Sequence, residues 1–182
     1  KGANLAEMNH LGIPVPPGFT ITTEVCSYYY DNNKNFPEEL DSELQNALTA
    51  TEEIMGSKFG DPTDPLLVSI RSGARQSMPG MMETVLNVGL TSKTIPGLIE
   101  KTGNARFVYD AYRRLIMMYA DVVMEKAAGI EPESNKGIRH KLESLIDQHK
   151  EENNYKNDTD LNADDWKLLS EKFKNEIEDT LG

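Results

Sequence analysis

The sequence holds one cysteine, Cys26, and one tryptophan, Trp166, in 182 residues. A lone cysteine excludes an internal disulfide and makes a reducing compartment, the cytoplasm, the expected location. Long hydrophobic runs are missing too. The longest mainly apolar window, Leu115–Met124, contains Asp121 and falls well short of the ~20 residues that span a bilayer. No signal-peptide pattern stands at the start, and no run of Lys and Arg occurs. With 19 basic against 30 acidic residues the net charge is -11, which repels nucleic acid and anionic lipid. Neither is an expected partner. The chain opens on Lys1-Gly2 without a methionine, from which we expect a piece of a longer protein.

What is present suits a folded domain. Hydrophobic residues make up 38% and charged residues 27% of the chain, and this length can bury a real core. The mean hydropathy of -0.54 and the acid runs after residue 130 point to a well-solvated second half.

Spacing predicts the elements. Leu5, Met8 and Leu11 predict a helix that begins almost at the first residue and stops at Gly12. Three prolines then enforce an extended path, and "GFTIT" alternates as a short strand. Thr22 or Thr23 is positioned to cap a helix carrying Cys26, read as a small buried residue, and Tyr28, Tyr29 and Tyr30, read as packing side chains. Leu40, Leu44, Ala47, Leu48 and Ile54 trace an amphipathic helix from Pro37 to Met55, ended by Gly56. "DPTDP" is a turn cluster. "LLVSI" (66–70) reads as a buried strand delivering Arg71 at its end, and "TVLNV" (84–88) as another strand.

Helices follow. "TIPGLIEKTG" is a short one. A long one over 104–129 is expected to face Phe107, Tyr112, Leu115, Ile116, Tyr119, Val122 and Val123 inward, and two more lie near 136–151 and 163–180, with Ser134 and Asn162 as caps. The fold class is therefore α+β: 1–91 mixes strands and helices, and 92–182 is a helical subdomain.

One stretch breaks the acidic pattern. Between Asp64 and Glu83 there is no carboxylate, yet Arg71 and Arg75 lie there beside Gly73 and Gly80. Glycines let backbone amides approach a ligand, and arginine forks match phosphate oxygens. A phosphate-binding turn at a strand end is the functional reading. The plain alternative makes both arginines surface ion pairs and lets Met78, Met81 and Met82 fill an irregular gap. Neither G-x-x-x-x-G-K-[ST] nor G-x-G-x-x-G is present, so spacing alone leaves both readings open.

Three segments carry a resemblance: "KGANLAEMNHLGIPVPPGFTITTEVC", "DPLLVSIRSGARQSMPGMMETVLNVGL" and "KTGNARFVYDAYRRLIMMYADVVME". In this order they resemble the nucleotide-binding end of the pyruvate phosphate dikinase family. That family opens the region with Gly-Gly-Lys-Gly, of which Lys1-Gly2 is the tail. Phosphoenolpyruvate synthases and glucan water dikinases share the lysine-glycine start and an Arg-Ser turn but lack the Gly-Ala-Arg and Ser-Met-Pro-Gly-Met-Met continuation.

The resemblance implies an ATP-grasp domain, of which 1–91 would be the first part of one lobe and 92–182 a helical insertion. It implies conversion of ATP, phosphate and pyruvate to AMP, pyrophosphate and phosphoenolpyruvate, with Mg²⁺ and a monovalent cation. The phosphohistidine and pyruvate-binding domains would lie elsewhere in the same chain, and the full-length enzyme is expected to be a homo-oligomer. Lys1 and Arg71 match the family's polyphosphate-contacting cations, which act in catalysis, and Gly80 matches the loop glycine over the phosphates. Arg75, Ser77 and Met81 belong to the same motif as loop-shaping members of the nucleotide site. No metal ligand is assigned here, because the family's second-lobe carboxylate, amide and arginine lie past residue 182; alone, the chain is expected to be inactive. His10, His140 and His149 read as ordinary surface or packing residues, and Glu83 as structural. Two other readings are a dikinase with a different acceptor and a nucleotide-free regulatory module.

Overall fold

The computed structural model describes residues 2–73, 84–126, 128–130, 132–133 and 136–182. Among them are seven α-helices and one two-stranded antiparallel sheet, an α+β arrangement dominated by helix. They divide into two compact units, one carrying the chain through Phe59, the other Gly60–Ser72 and the chain from Thr84 onward.

The first unit is built on α1 (Gly2–His10), α2 (Thr23–Asp31) and α3 (Leu40–Met55). Gly12, at φ 76°, closes α1 where only a residue without Cβ turns left-handed at low cost. Gly56 does the same for α3, at φ 69° with its N–H donating to the Glu52 carbonyl at 2.8 Å. Thr22 stands at the N-cap of α2 without a side-chain capping bond.

Several expectations fail in this unit. "GFTIT" is extended but forms no strand, since among the described residues no neighbouring strand offers it a ladder. Part of it is nonetheless packed: a Cβ on Gly2 would come within 2.7 Å of the Thr20 hydroxyl. Cys26 is exposed rather than buried. In α3 the helix starts at Leu40, not Pro37, and Ile54 is 72% exposed, while Leu40, Leu44, Ala47 and Leu48 are half-buried around Thr51. Of the three tyrosines Tyr29 is half-buried, with its ring 4.7 Å from Phe36 and 5.5 Å edge-on to Tyr30; Tyr28 and Tyr30 are exposed. Neither α1 nor α2 buries a residue within the chain.

The second unit holds the core. β1 (Val68–Arg71) pairs with β2 (Thr84–Val88), and β2 packs on α5 (Ala105–Tyr119). β1 is not the buried strand its apolar run predicts. Leu66 before it is buried, but Ile70 is 59% exposed, because a two-stranded ribbon packed on one helix leaves much of its outer strand uncovered.

α4 (Ile95–Thr102) packs on α5 through Ile95, Leu98 and Ile99 around Val108, Ala111 and Tyr112. The approach of α4 to the Asp61–Asp64 turn is close. The Asp61 carboxylate accepts the Thr63 and Asp64 amides at 2.7 and 2.9 Å, and a Cβ at Gly97 would lie 2.1 Å from the Pro62 carbonyl oxygen. Lys101 closes the joint with an ion pair to Asp64.

Asn104 caps α5 by accepting the Phe107 amide at 3.0 Å. The buried stripe is Val108, Ala111, Tyr112, Arg113 and Met117. Phe107, Tyr119 and Val123, expected inward, are exposed: β2 and α7 lie against the adjacent face of the helix, and amphipathicity alone did not fix which side they would take. The helix then widens into a π segment, Ala120–Lys126, where the Ala120 amide is shared between the Ile116 and Met117 carbonyls. Asp121 and Glu125 are buried in this segment. Glu125 accepts the Ile138 amide at 2.7 Å and so caps α6 (Ile138–Asn153) in place of Gly137, which has no side chain to do it.

α6 and α7 (Ala163–Leu181) complete the unit. Ile138, Leu142 and Ile146 meet Trp166, Leu169, Phe173 and Ile177, each series spaced at helical intervals. Full burial of such a side chain contributes about 1.5–3 kcal/mol. Asn162 caps α7 as expected, in a reciprocal box with Asp165. Asp165 also meets the buried His149 at 2.9 Å. Burial works to raise the Asp165 pKa, but the Asn162 amide and the His149 and Tyr155 side chains together hold it below its ordinary value.

Two outcomes follow. Gly97→Ala should lose about 1–3 kcal/mol through overpacking against backbone that cannot yield, read from denaturant melts; unchanged stability would show that the α4 contact is looser than described. Because the folded-state pKa of Asp165 is lowered, its carboxylate stabilises the fold above the unfolded value near ~3.9 and ceases to do so as pH falls through the folded value. Asp165→Asn should therefore cost about 1 kcal/mol near neutrality, a difference that closes below about pH 4.

Candidate nucleotide-phosphate site

Of the site residues expected from the sequence, Arg71 is described. Lys1, Arg75, Ser77, Gly80 and Met81 lie outside the described residues, as do Met78, Met82, Glu83 and the expected cap Ser134. Arg71 is the last residue of β1, as predicted, and its side chain is exposed. Its Cα partner on β2 is Thr84, the final rung of the ladder. β2 in turn is held by α5, with Val85 only 5% exposed. The guanidinium thus leaves from a strand end anchored through one packed helix.

Among the described residues no group of three His, Cys, Asp or Glu could hold a metal ion. His10 and His140 are exposed and His149 is packed against Asp165.

Two features were passed over in the sequence. One is Asn87, at φ 59° inside β2; the signal was an asparagine in a strand pattern, where it is depleted. The other is a cleft of about 540 Å³ in the second unit, bordered by Leu86, Met117, Ile146, Arg113, Arg139 and Lys150. Its cations are matched. Arg113 pairs with Asp110 at 2.8 Å and Asp158 at 3.4 Å, Arg139 with Asp121 at 2.8 Å, and Lys150 with Asp147 and Asp158 at 2.9 and 3.2 Å. The Lys150 pKa is raised, first by its hydrogen bond to Asp147. Arg113 also lies 4.2 Å over the Trp166 ring. These pairs make the cleft a seam joining α5, α6 and the Asp158 turn. Its members are scattered between positions 110 and 158, and no local motif marks them.

Residues 1–39 match the family described as "Pyruvate phosphate dikinase, AMP/ATP-binding domain". Nearly the whole chain is similar to curated relatives of that name. It is 54% identical over 174 residues, 96% of this chain, to the pyruvate, phosphate dikinase of Clostridium symbiosum. Identity is 44% over the full chain to that of Rhizobium meliloti. Its first 39 residues are thus similar to that AMP/ATP-binding domain, and nearly its whole length to dikinases of that name. A chloroplastic pyruvate, phosphate dikinase of Flaveria trinervia is 48% identical over 96% of this chain. The chain spans about a fifth of the length of these dikinases, 19% of the two bacterial proteins and 17% of the plant one. No helix of the described residues is long and apolar enough to cross a membrane.

The seam generates its own expectation. Arg113→Ala should destabilise the fold by about 2–4 kcal/mol, since it removes a buried cation and its stacking on Trp166 and leaves Asp158 short of a partner. Thermal or denaturant unfolding measures this; a loss under about 0.5 kcal/mol, the range of an ordinary surface change, would show the pairs to be incidental.

Proposed function

We propose that this chain is part of the ATP-binding region of a pyruvate phosphate dikinase, the enzyme that converts ATP, phosphate and pyruvate to AMP, pyrophosphate and phosphoenolpyruvate through a phosphohistidine on a separate domain. The observation that carries the reading is Arg71: a cation at an anchored strand end, within the longest acid-free stretch of an acidic chain, in a sequence 44–54% identical to dikinases of this name. Residues 1–91 are read as the first part of the nucleotide-binding lobe and 92–182 as its helical subdomain.

In this reading Lys1 and Arg71 bind the polyphosphate. Lysine acts as a compact point charge and arginine as a planar fork that fixes orientation as well as charge. The Gly80 amide contributes a neutral donor, and Arg75, Ser77 and Met81 shape the turn that carries it. Phosphoryl transfer needs little covalent help from protein; it needs such donors held where the oxygens gain charge in the transition state. Mg²⁺ and a monovalent cation would be held by residues other than those described here and would neutralise phosphate charge. The phosphohistidine and pyruvate-binding domains, a homo-oligomeric state and a cytoplasmic location belong to the same proposal.

The test is Arg71→Ala in the full-length enzyme, assayed by half-reactions. The ATP/phosphate half should fall by about a hundredfold to a thousandfold, as when one transition-state donor is removed, while the exchange between phosphoenolpyruvate and pyruvate stays intact. Equal loss in both halves, or loss in neither, would refute the role given to Arg71.

A further inference from the structure

The pairing register of the ribbon departs from a regular ladder just before Arg71. Val68 lies opposite Val88, but Ile70 lies opposite Val85 and Arg71 opposite Thr84. One residue, Ser69, separates the first two positions on β1, whereas two, Leu86 and Asn87, separate their partners on β2. β2 therefore carries one extra residue, a β-bulge. Asn87 sits there at φ 59°, in the left-handed region that asparagine tolerates and β-branched residues avoid.

The bulge decides which neighbour Arg71 has. Continued without a shift from Val68 and Val88, the ladder would set Arg71 opposite Val85. Directly opposed residues share a face of a sheet, and Val85 is 5% exposed on the strand that packs against α5. A regular ribbon would thus set the guanidinium on the face that β2 turns toward α5, the face Ile70 takes instead, and a one-residue slip exchanges the faces. With the bulge, Arg71 stands beside Thr84, which is only half-buried, and is itself exposed.

We propose that Asn87 is a positioning residue for Arg71: its left-handed backbone maintains the bulge that turns the arginine to the face of the ribbon away from α5, where phosphate is received. The inference rests on the reading of Arg71 as a phosphate ligand. Asn87 acts through the register and touches no substrate.

The test compares Asn87→Gly, which accepts a positive φ, with Asn87→Val, which resists it, beside Arg71→Ala in the full-length enzyme. Asn87→Gly should keep the ATP/phosphate half-reaction within about threefold of the parent, because glycine adopts the same backbone. Asn87→Val should lose about a hundredfold, the scale of a misplaced catalytic contact, with the pyruvate half-reaction intact. In the background of Arg71→Ala, Asn87→Val should add no further loss, because both act on one contact. Should Asn87→Val fail to fold, Asn87→Ala replaces it, with an expected loss of about tenfold for its milder resistance to positive φ. Parental activity in both Asn87→Val and Asn87→Ala alongside an inactive Arg71→Ala would overturn the positioning role and leave the Arg71 reading standing. So would an Asn87→Gly enzyme as impaired as Asn87→Val. A fully active Arg71→Ala enzyme would remove the ligand reading itself.

Discussion

The second unit depends on the burial of α5 between β2 and α7. Val108 and Tyr112 meet the cluster around Leu90 and Ile95, while Met117, a little over one turn beyond Tyr112, joins the core formed with α6 and α7. A two-stranded ribbon is marginal by itself in water. Docked on a helix that is fixed along its other side, it acquires a defined position, and so does the arginine at its end. The rigidity of the candidate site is borrowed from residues 105–119, well away from it in sequence.

Electrostatics work at two scales. The chain as a whole is anionic, which disfavours nucleic acid and membrane surfaces and would also disfavour a triphosphate. Within the second unit the buried Arg113, the half-buried Lys150 and the exposed Arg139 are committed to nearby carboxylates, so the helical part adds stability without adding an attractive field. The stretch from Pro65 to Met82 differs, having two arginines, Arg71 and Arg75, and no acid. Local charge, rather than net charge, distinguishes it.

The first unit presents a different balance. Its helices are well formed, yet Leu11, Phe36 and Ile54 are more than 60% exposed and Thr51 is the residue buried in α3. Helix formation there follows from local signals, the glycine stops and apolar spacing, and does not depend on a filled core. The same separation between local structure and burial explains the misread positions: Cys26 and Ile54 are apolar by type, but type predicts burial only where a partner surface exists.

Local chemistry was legible from the sequence. The stop at Gly12, the bounds of β2, the Asn162 cap and the turn at Asp61–Asp64 each follow from a few neighbouring residues whose backbone preferences or hydrogen bonds settle the matter by themselves. Arg71 at a strand end was legible for the same reason. What tertiary structure alone decided was which face each element would bury. Phe107 and Val108 are adjacent and both apolar; only the placement of β2 and α7 against α5 covers one and leaves the other exposed. Likewise "TVLNV" reads as regular alternation, and only pairing with β1 creates the bulge at Asn87. Periodicity specifies a stripe or a strand, but its orientation is set by contacts between residues far apart in the chain, whose free energy no local window contains.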